Sequence, residues 1–280
     1  MLQQNISDTA FLVVESRARR VDVSRDAYAQ HWVPPERRAA VAALWNDFSR
    51  EVYPNDDLEL GIRNRFFLER IQHFTAVHRN AAFVNLGAGF TSYPYLLPGN
   101  VACFELDLPS VVAFKQQRIE ELSVSGILPP RNLKLRAVDI MEARGRLHLR
   151  DFLATIVGDR PTFFLLEGLS YYLNFLVLDE LFEILREAQP VASQVGFDYW
   201  RPDLARNPTF QRLRAFFVER FGFSAKDYCL FDRSWFAKIE GYRVLALSDA
   251  ASCEAAYAGG NVLNDNDAML PENYAILERL

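Results

Sequence analysis

The chain has 280 residues, 50% hydrophobic and 24% charged, which is enough to bury a large core, and it carries a formal charge of -5. Its Lys and Arg residues are scattered rather than gathered into the continuous basic face that a phosphate backbone requires, so a nucleic-acid partner is not expected. Cys103, Cys229 and Cys253 are too widely spaced for a disulfide framework, no basic-then-apolar leader opens the chain, and no apolar run approaches the roughly 20 residues of a membrane span; a cytoplasmic protein with no membrane association is expected.

Residues 1–80 hold helix-like apolar spacing, as in Ala39, Ala43 and Leu44 and then Phe66, Phe67, Ile71 and Phe74. They are expected to form helices that cap one end of a sheet. From residue 81 the character changes. AAFVNL (81–86), VACFEL (101–106), LKLRAV (133–138) and TFFLLE (162–167) are short apolar runs of a length that suits strands buried on both faces. Helical patterns at 109–124 and 143–157 lie between them, and such alternation predicts a mostly parallel sheet. A fifth strand is expected at 193–199, a helix at 209–221, and two more strands at 242–247 and 273–279 as a terminal antiparallel pair. The fold class is therefore α/β, with seven strands and helices on both faces. No repeat, low-complexity tract or Gly/Ser linker interrupts the chain, so one domain over 1–280 is expected.

Chemistry concentrates at the ends of the apolar runs. In VNLGAGF (84–90) a strand leads straight into Gly87, Ala88 and Gly89, where missing side chains permit a tight turn and close ligand approach. The next strand ends in Glu105, Leu106 and Asp107, where an acid can take ribose hydroxyls; the two acids are two apart and should share a side. Asp139 ends the third run and Glu167 the fourth. Four successive strands thus bring polar groups to their carboxyl ends, where open α/β sheets bind ligands. Phe90, Thr91 and Ser92 follow Gly89, so the third glycine of a pyrophosphate cradle is missing. A nucleoside without phosphate, S-adenosylmethionine, suits the loop better than a dinucleotide.

Three segments together, VNLGAGF, FELDLPSVVAFKQQRI (104–119) and LEGLSYYL (166–173), resemble the central motifs of the leucine carboxyl methyltransferase family. SRDAYAQHWV (24–33) and Arg63-Asn64-Arg65 are similar to its N-terminal signatures. The resemblance implies a Rossmann-like methyltransferase core over 81–280, an N-terminal helical cap over 1–80 and an acceptor-pocket insertion near 200–235. It also implies S-adenosylmethionine as cofactor, with S-adenosylhomocysteine as product. Carried over by motif, Arg63 pairs with the cofactor's carboxylate, with Arg65 as the alternative register. Arg17 is a further basic contact, and Gly87, within Gly87-Ala88-Gly89, lines the methionine part. Asp107 holds the ribose, Asp139 and Ile140 flank the adenine, and Glu167 closes the site. Thr91 and Leu96 stand where the family usually has Asp and Arg, a departure confined to that loop, so no role is carried over to them.

The expected acceptor is a small metabolite bearing a carboxylate or hydroxyl; a protein C-terminus is the alternative. In-line displacement at a sulfonium mostly requires alignment and exclusion of water. A carboxylate acceptor needs no general base, and Tyr171, Tyr172 and Arg201 are the candidates to position it. A phenol needs a base, for which His31 or a nearby acid is available. Phe216, Phe217, Phe221 and Phe223 are expected in the core, with some aromatic residues lining an acceptor pocket. The histidines are too dispersed for a metal site. A dinucleotide-dependent enzyme and a binding protein without transfer activity are the rival readings.

Overall fold

The computed structural model describes residues 2–222, 228–264 and 269–280. Five helices come first: α1 (Leu2–Arg19), α2 (Val21–Ser24), α3 (Ala29–Trp32), α4 (Arg38–Glu51) and α5 (Asp56–Val77). Then β1 (Ala82–Leu86), α6 (Tyr93–Leu96), β2 (Ala102–Asp107), α7 (Pro109–Val124), β3 (Leu133–Ala137), α8 (Ala143–Ile156), β4 (Thr162–Leu166), α9 (Phe175–Ala188) and β5 (Gln194–Tyr199) alternate. The chain ends with α10 (Pro208–Phe221), α11 (Arg233–Phe236), β6 (Tyr242–Asp249), α12 (Ala250–Tyr257) and β7 (Asn273–Arg279).

The strand order is β3-β2-β1-β4-β5-β7-β6. The first five strands pair in parallel, and β7 runs antiparallel between β5 and β6. Moving outward from β1 toward both edges reverses the winding between β1 and β4, the kind of switch point at which open α/β sheets leave a crevice. Successive side chains of a strand face opposite sides. Val84, Leu86, Phe164 and Leu166 accordingly pack in one cluster with Leu149 of α8 and Leu181 of α9, whereas Phe83, Phe163 and Leu165 pack with Phe67, Ile71 and Phe74 of α5. The expectation for LKLRAV is corrected here: β3 is an edge strand, paired among the described residues only with β2, and its residues are half-buried to exposed.

The N-terminal segment does more than cap an end. Helix α5 has apolar residues on nearly every side and lies across a sheet face, with Phe74 against Phe163 at 5.6 Å between ring centres. Helix α10 is punctuated as its sequence demands. Asn207 accepts from Phe210 N at 3.0 Å as N-cap, Pro208 takes the first position, and Gly222 follows in the left-handed region at φ +63°. Phe216, Phe217 and Phe221 of this helix are buried as expected, while Phe223 lies outside the described residues.

Candidate active site

The carboxyl ends of the parallel strands open on one cavity of about 420 Å³, a usual size for a small-molecule site. The turn after β1 brings Gly87, Ala88 and Gly89 to its wall, β2 brings Asp107, the segment after β3 brings Asp139 and Ile140, and β4 brings Glu167. Helices α1 and α5 add Arg17 and Arg63, and Tyr171 and Tyr172 line it beyond β4. Most of the residues expected from the motifs are thus brought together. A wider groove of about 650 Å³ against α9 contains none of them.

The glycine turn explains its own composition. Gly87 and Ala88 donate to Leu106 O at 2.8 and 3.2 Å, which pulls the turn across the tip of β2. Gly87 sits at φ +68°, and a Cβ there would lie 3.1 Å from the Leu169 side chain. Gly87→Ala is expected to cost about 1–2 kcal/mol through left-handed strain and to weaken cofactor binding as Leu169 shifts into the cavity; thermal melts and calorimetry check both. Gly89 donates its N–H to Asp107 Oδ2 at 2.7 Å, while Leu108 N–H reaches Oδ1 at 2.7 Å. Burial pushes the Asp107 carboxyl above its usual range, and these two N–H groups oppose the shift. Each oxygen keeps lone pairs for a ligand hydroxyl.

At the other wall Arg63 is the hub of a buried ion network. Its Nε donates to Glu167 Oε1 at 3.0 Å, and its Nη1 donates to Asp198 Oδ2 at 3.1 Å and Glu272 Oε1 at 2.8 Å. Nη2 makes no hydrogen bond among the described residues; it lies beside Gly168, 3.6 Å from where a Cβ would stand. Glu167 is further fixed by the Tyr93 hydroxyl, which donates to Oε2 at 2.5 Å. Arg17, 2% exposed, donates to Asp26 at 3.2 Å and to Phe90 O at 2.9 Å, tying α1 to the turn after Gly89.

Burial raises three acids near this wall. Asp198 and Asp56 are pushed up to about 6, and Glu272 to about 8, with Arg63 pulling each back. Asp56 is held by the hydroxyls of Ser16 and Tyr53.

Three expected residues do not reach the cavity. Arg65 is two positions from Arg63, about 200° around a helix; it pairs with Glu69 at 2.6 Å and covers Tyr257. Glu105 does share the side of Asp107, since Thr91 Oγ1 contacts it. It sits one pleat deeper, sealed by Lys115 Nζ at 2.7 Å. Arg201 points to solvent, 56% exposed, beside Asp203. His31 is also outside the cavity lining, and burial with the Arg38 and Arg118 charges holds its pKa down. Thr91, at a departure from the family pattern, accepts from Asn85 Nδ2 at 3.0 Å and donates to Ala88 O at 2.9 Å, so it braces the turn from within.

The sequence reading missed Asp198, Glu272, Asp56 and Tyr93. Asp198 had a signal, since it stands near the end of an apolar run just as Glu167 does. Glu272 and Asp56 had none, because one precedes the last strand and the other opens a helix.

The family model described as leucine carboxyl methyltransferase matches residues 6–186. A relative from Mycobacteroides abscessus, provisionally named an S-adenosyl-L-methionine-dependent methyltransferase, is 28% identical over 217 residues, covering 72% of this chain and 67% of its own. Another of the same name from Mycobacterium marinum is 29% identical over 161 residues, covering 55% of this chain and 50% of its own. The chain thus spans about half to two thirds of the length of these relatives. In fold it is similar to a DUF574-family protein from Streptomyces avermitilis, with TM-score 0.63 and 14% identity over 93% of this chain and 100% of that one. It is also similar to a Thermobifida fusca protein provisionally described as a methyltransferase, with TM-score 0.59 and 16% identity over 86% and 88%. With the motif residues gathered at the strand tips and the family model matched over most of the chain, the protein belongs to the leucine carboxyl methyltransferase family of S-adenosylmethionine-dependent enzymes.

Proposed function

We propose that the protein methylates an oxygen of a small metabolite in the cytoplasm. The observation that carries this reading is the cavity at the carboxyl ends of the parallel strands. On it Arg63 Nη2 is left without a partner among the described residues, and Asp107, Asp139 and Glu167 stand at neighbouring strand ends. When bound, S-adenosylmethionine supplies a methyl group on a sulfonium, already activated for displacement. Arg63 Nη2 suits the cofactor's carboxylate, and Glu167 its ammonium, in charge-assisted bonds. Asp107 suits the ribose hydroxyls, and Asp139 with Ile140 flanks the adenine. Gly87 leaves room for the methionine chain, since a side chain there would close on Leu169. The apolar walls exclude water while the acceptor is aligned.

Asp107→Ala removes a ribose partner and unties the Gly89 N–H. Its expected effect is a loss of about 1–3 kcal/mol in S-adenosylhomocysteine binding, or about 5- to 150-fold in affinity. Isothermal calorimetry measures it, and unchanged affinity in a folded variant would refute the assignment.

A further inference from the structure

The turn after β3, built from Asp139, Ile140 and Met141, forms the stretch of cavity wall assigned to the adenine base. Its shape is fixed from outside the cavity. Arg146, in the first turn of α8, donates from Nη1 to Ile140 O at 2.9 Å and to Met141 O at 3.0 Å. Among the described residues no backbone N–H takes either carbonyl. Arg146 Nε donates to Glu180 Oε2 of α9 at 2.7 Å, so the guanidinium is held between that carboxylate and the turn. Neither Arg146 nor Glu180 lines the cavity. Side chains of a helix lean toward its N-terminus, which carries Arg146 back over the turn that precedes α8.

Two further observations tie Arg146 to the turn rather than to its own helix. A cation in the first turn opposes the helix dipole, and α8 has no acid there to offset it. Helix formation therefore does not account for an arginine that is only 8% exposed at this place. Gly145, its neighbour, makes room for the same turn: a Cβ there would overlap the Asp139 carbonyl oxygen, and only a shift of backbone could relieve the clash. Within the turn Asp139 Oδ1 accepts from Met141 N–H at 2.9 Å, while Oδ2 takes no hydrogen bond among the described residues. One oxygen thus locks the carboxylate to its own turn and the other stays open to a donor.

We propose that Arg146 is a positioning residue for recognition of the adenine base: by bridging Glu180 to the carbonyls of Ile140 and Met141, it holds the turn in the form that presents Asp139 and Ile140 to the base. This rests on reading the cavity as the S-adenosylmethionine site. The planar fork of a guanidinium aims donors at Glu180 and at the turn together, which the single ammonium of a lysine does not. Arg146 touches neither the cofactor nor the reacting atoms, so its removal acts on how the base is told apart.

The test measures, by calorimetry on the folded protein, binding of S-adenosylhomocysteine and of S-inosylhomocysteine, whose base carries a carbonyl where adenine carries an amine. A carboxylate oxygen accepts from the amine and repels the carbonyl, so the parent should prefer the adenine ligand by about tenfold or more. Arg146→Met should weaken S-adenosylhomocysteine about tenfold and S-inosylhomocysteine less than about twofold, so that the preference nearly vanishes. Glu180→Ala should lower the preference about threefold and Glu180→Gln should restore it, since the amide keeps an acceptor for Arg146 Nε. Gly145→Ala should carry the same signature from the other side of the turn. Equal losses for both ligands, or no loss, in a folded Arg146→Met variant overturn the inference, and so does a parent without preference. If Arg146→Met does not fold, an unchanged preference in Glu180→Ala overturns it. A parent that binds neither ligand instead removes the reading of the cavity as the cofactor site.

Discussion

Arg63→Met is expected to cost about 3–5 kcal/mol of folding stability and to abolish measurable cofactor binding. The side chain is 3% exposed, and its loss strands Glu167, Asp198 and Glu272 together with no cation between them. For a chain of this size that corresponds to a fall in Tm on the order of 10 °C. The pH dependence has a definite sign. Asp198 and Glu272 titrate in the native protein at about 6 and about 8, above the ordinary carboxylate range of about 4. The folded state therefore binds more protons than the unfolded state across that interval, and stability falls as pH rises through it. Removing Arg63 raises both groups further. The variant should lose most at pH 8 and least near pH 5, where Asp198 and Glu272 are neutral. Arg63→Lys keeps a charge but not the three-nitrogen fork, so it should recover part of the stability and little of the cofactor affinity. Melts at several pH values with calorimetry separate the two effects; an Arg63→Met variant as stable as the parent at pH 8 would show that the network contributes nothing.

The reach of the sequence can be judged at particular residues. Strand runs such as TFFLLE are legible because burial on both faces leaves no alternation, and an acid that ends such a run stands out against it. Asp107, Asp139 and Glu167 were found that way. LKLRAV differs on paper: Lys134 and Arg136 alternate with Leu133 and Leu135, the period of a strand with one open face, and reading it as buried on both faces passed over that signal of the edge strand. The choice between Arg63 and Arg65 was open for another reason. Both flank Asn64, and only the tertiary placement of α5 shows which side meets the cavity. Glu105 illustrates a different limit: alternation placed it correctly beside Asp107, but not the lysine that closes over it from α7. Arg201 follows an apolar strand as the other tip residues do, and the chain simply turns it outward. Glu272, Asp56 and Trp200 line the same cavity from three distant segments with no shared spacing, so they were visible only once folded.

The buried pair of Glu105 and Lys115 gives the second large effect. Lys115 is 2% exposed and Glu105 1%, with Nζ 2.7 Å from Oε2 and 3.0 Å from Thr91 O. Lys115→Met should therefore destabilise by about 3–5 kcal/mol, because one charge remains buried without a partner. It also frees the Thr91 carbonyl and loosens the turn that carries Gly89. Glu105→Leu combined with Lys115→Met removes both charges and should recover most of that loss, as apolar replacement of a buried ion pair often does. Urea unfolding of the two single variants and the double variant closes the cycle. Cofactor affinity then distinguishes position from contact. If Glu105 only supports the turn, the stable double variant keeps S-adenosylhomocysteine affinity within about tenfold of the parent, a change of about 1.4 kcal/mol. A folded double variant that binds no S-adenosylhomocysteine would instead show that the Lys115 bond to Thr91 O, which the double variant also lacks, is what holds the turn that carries Gly89.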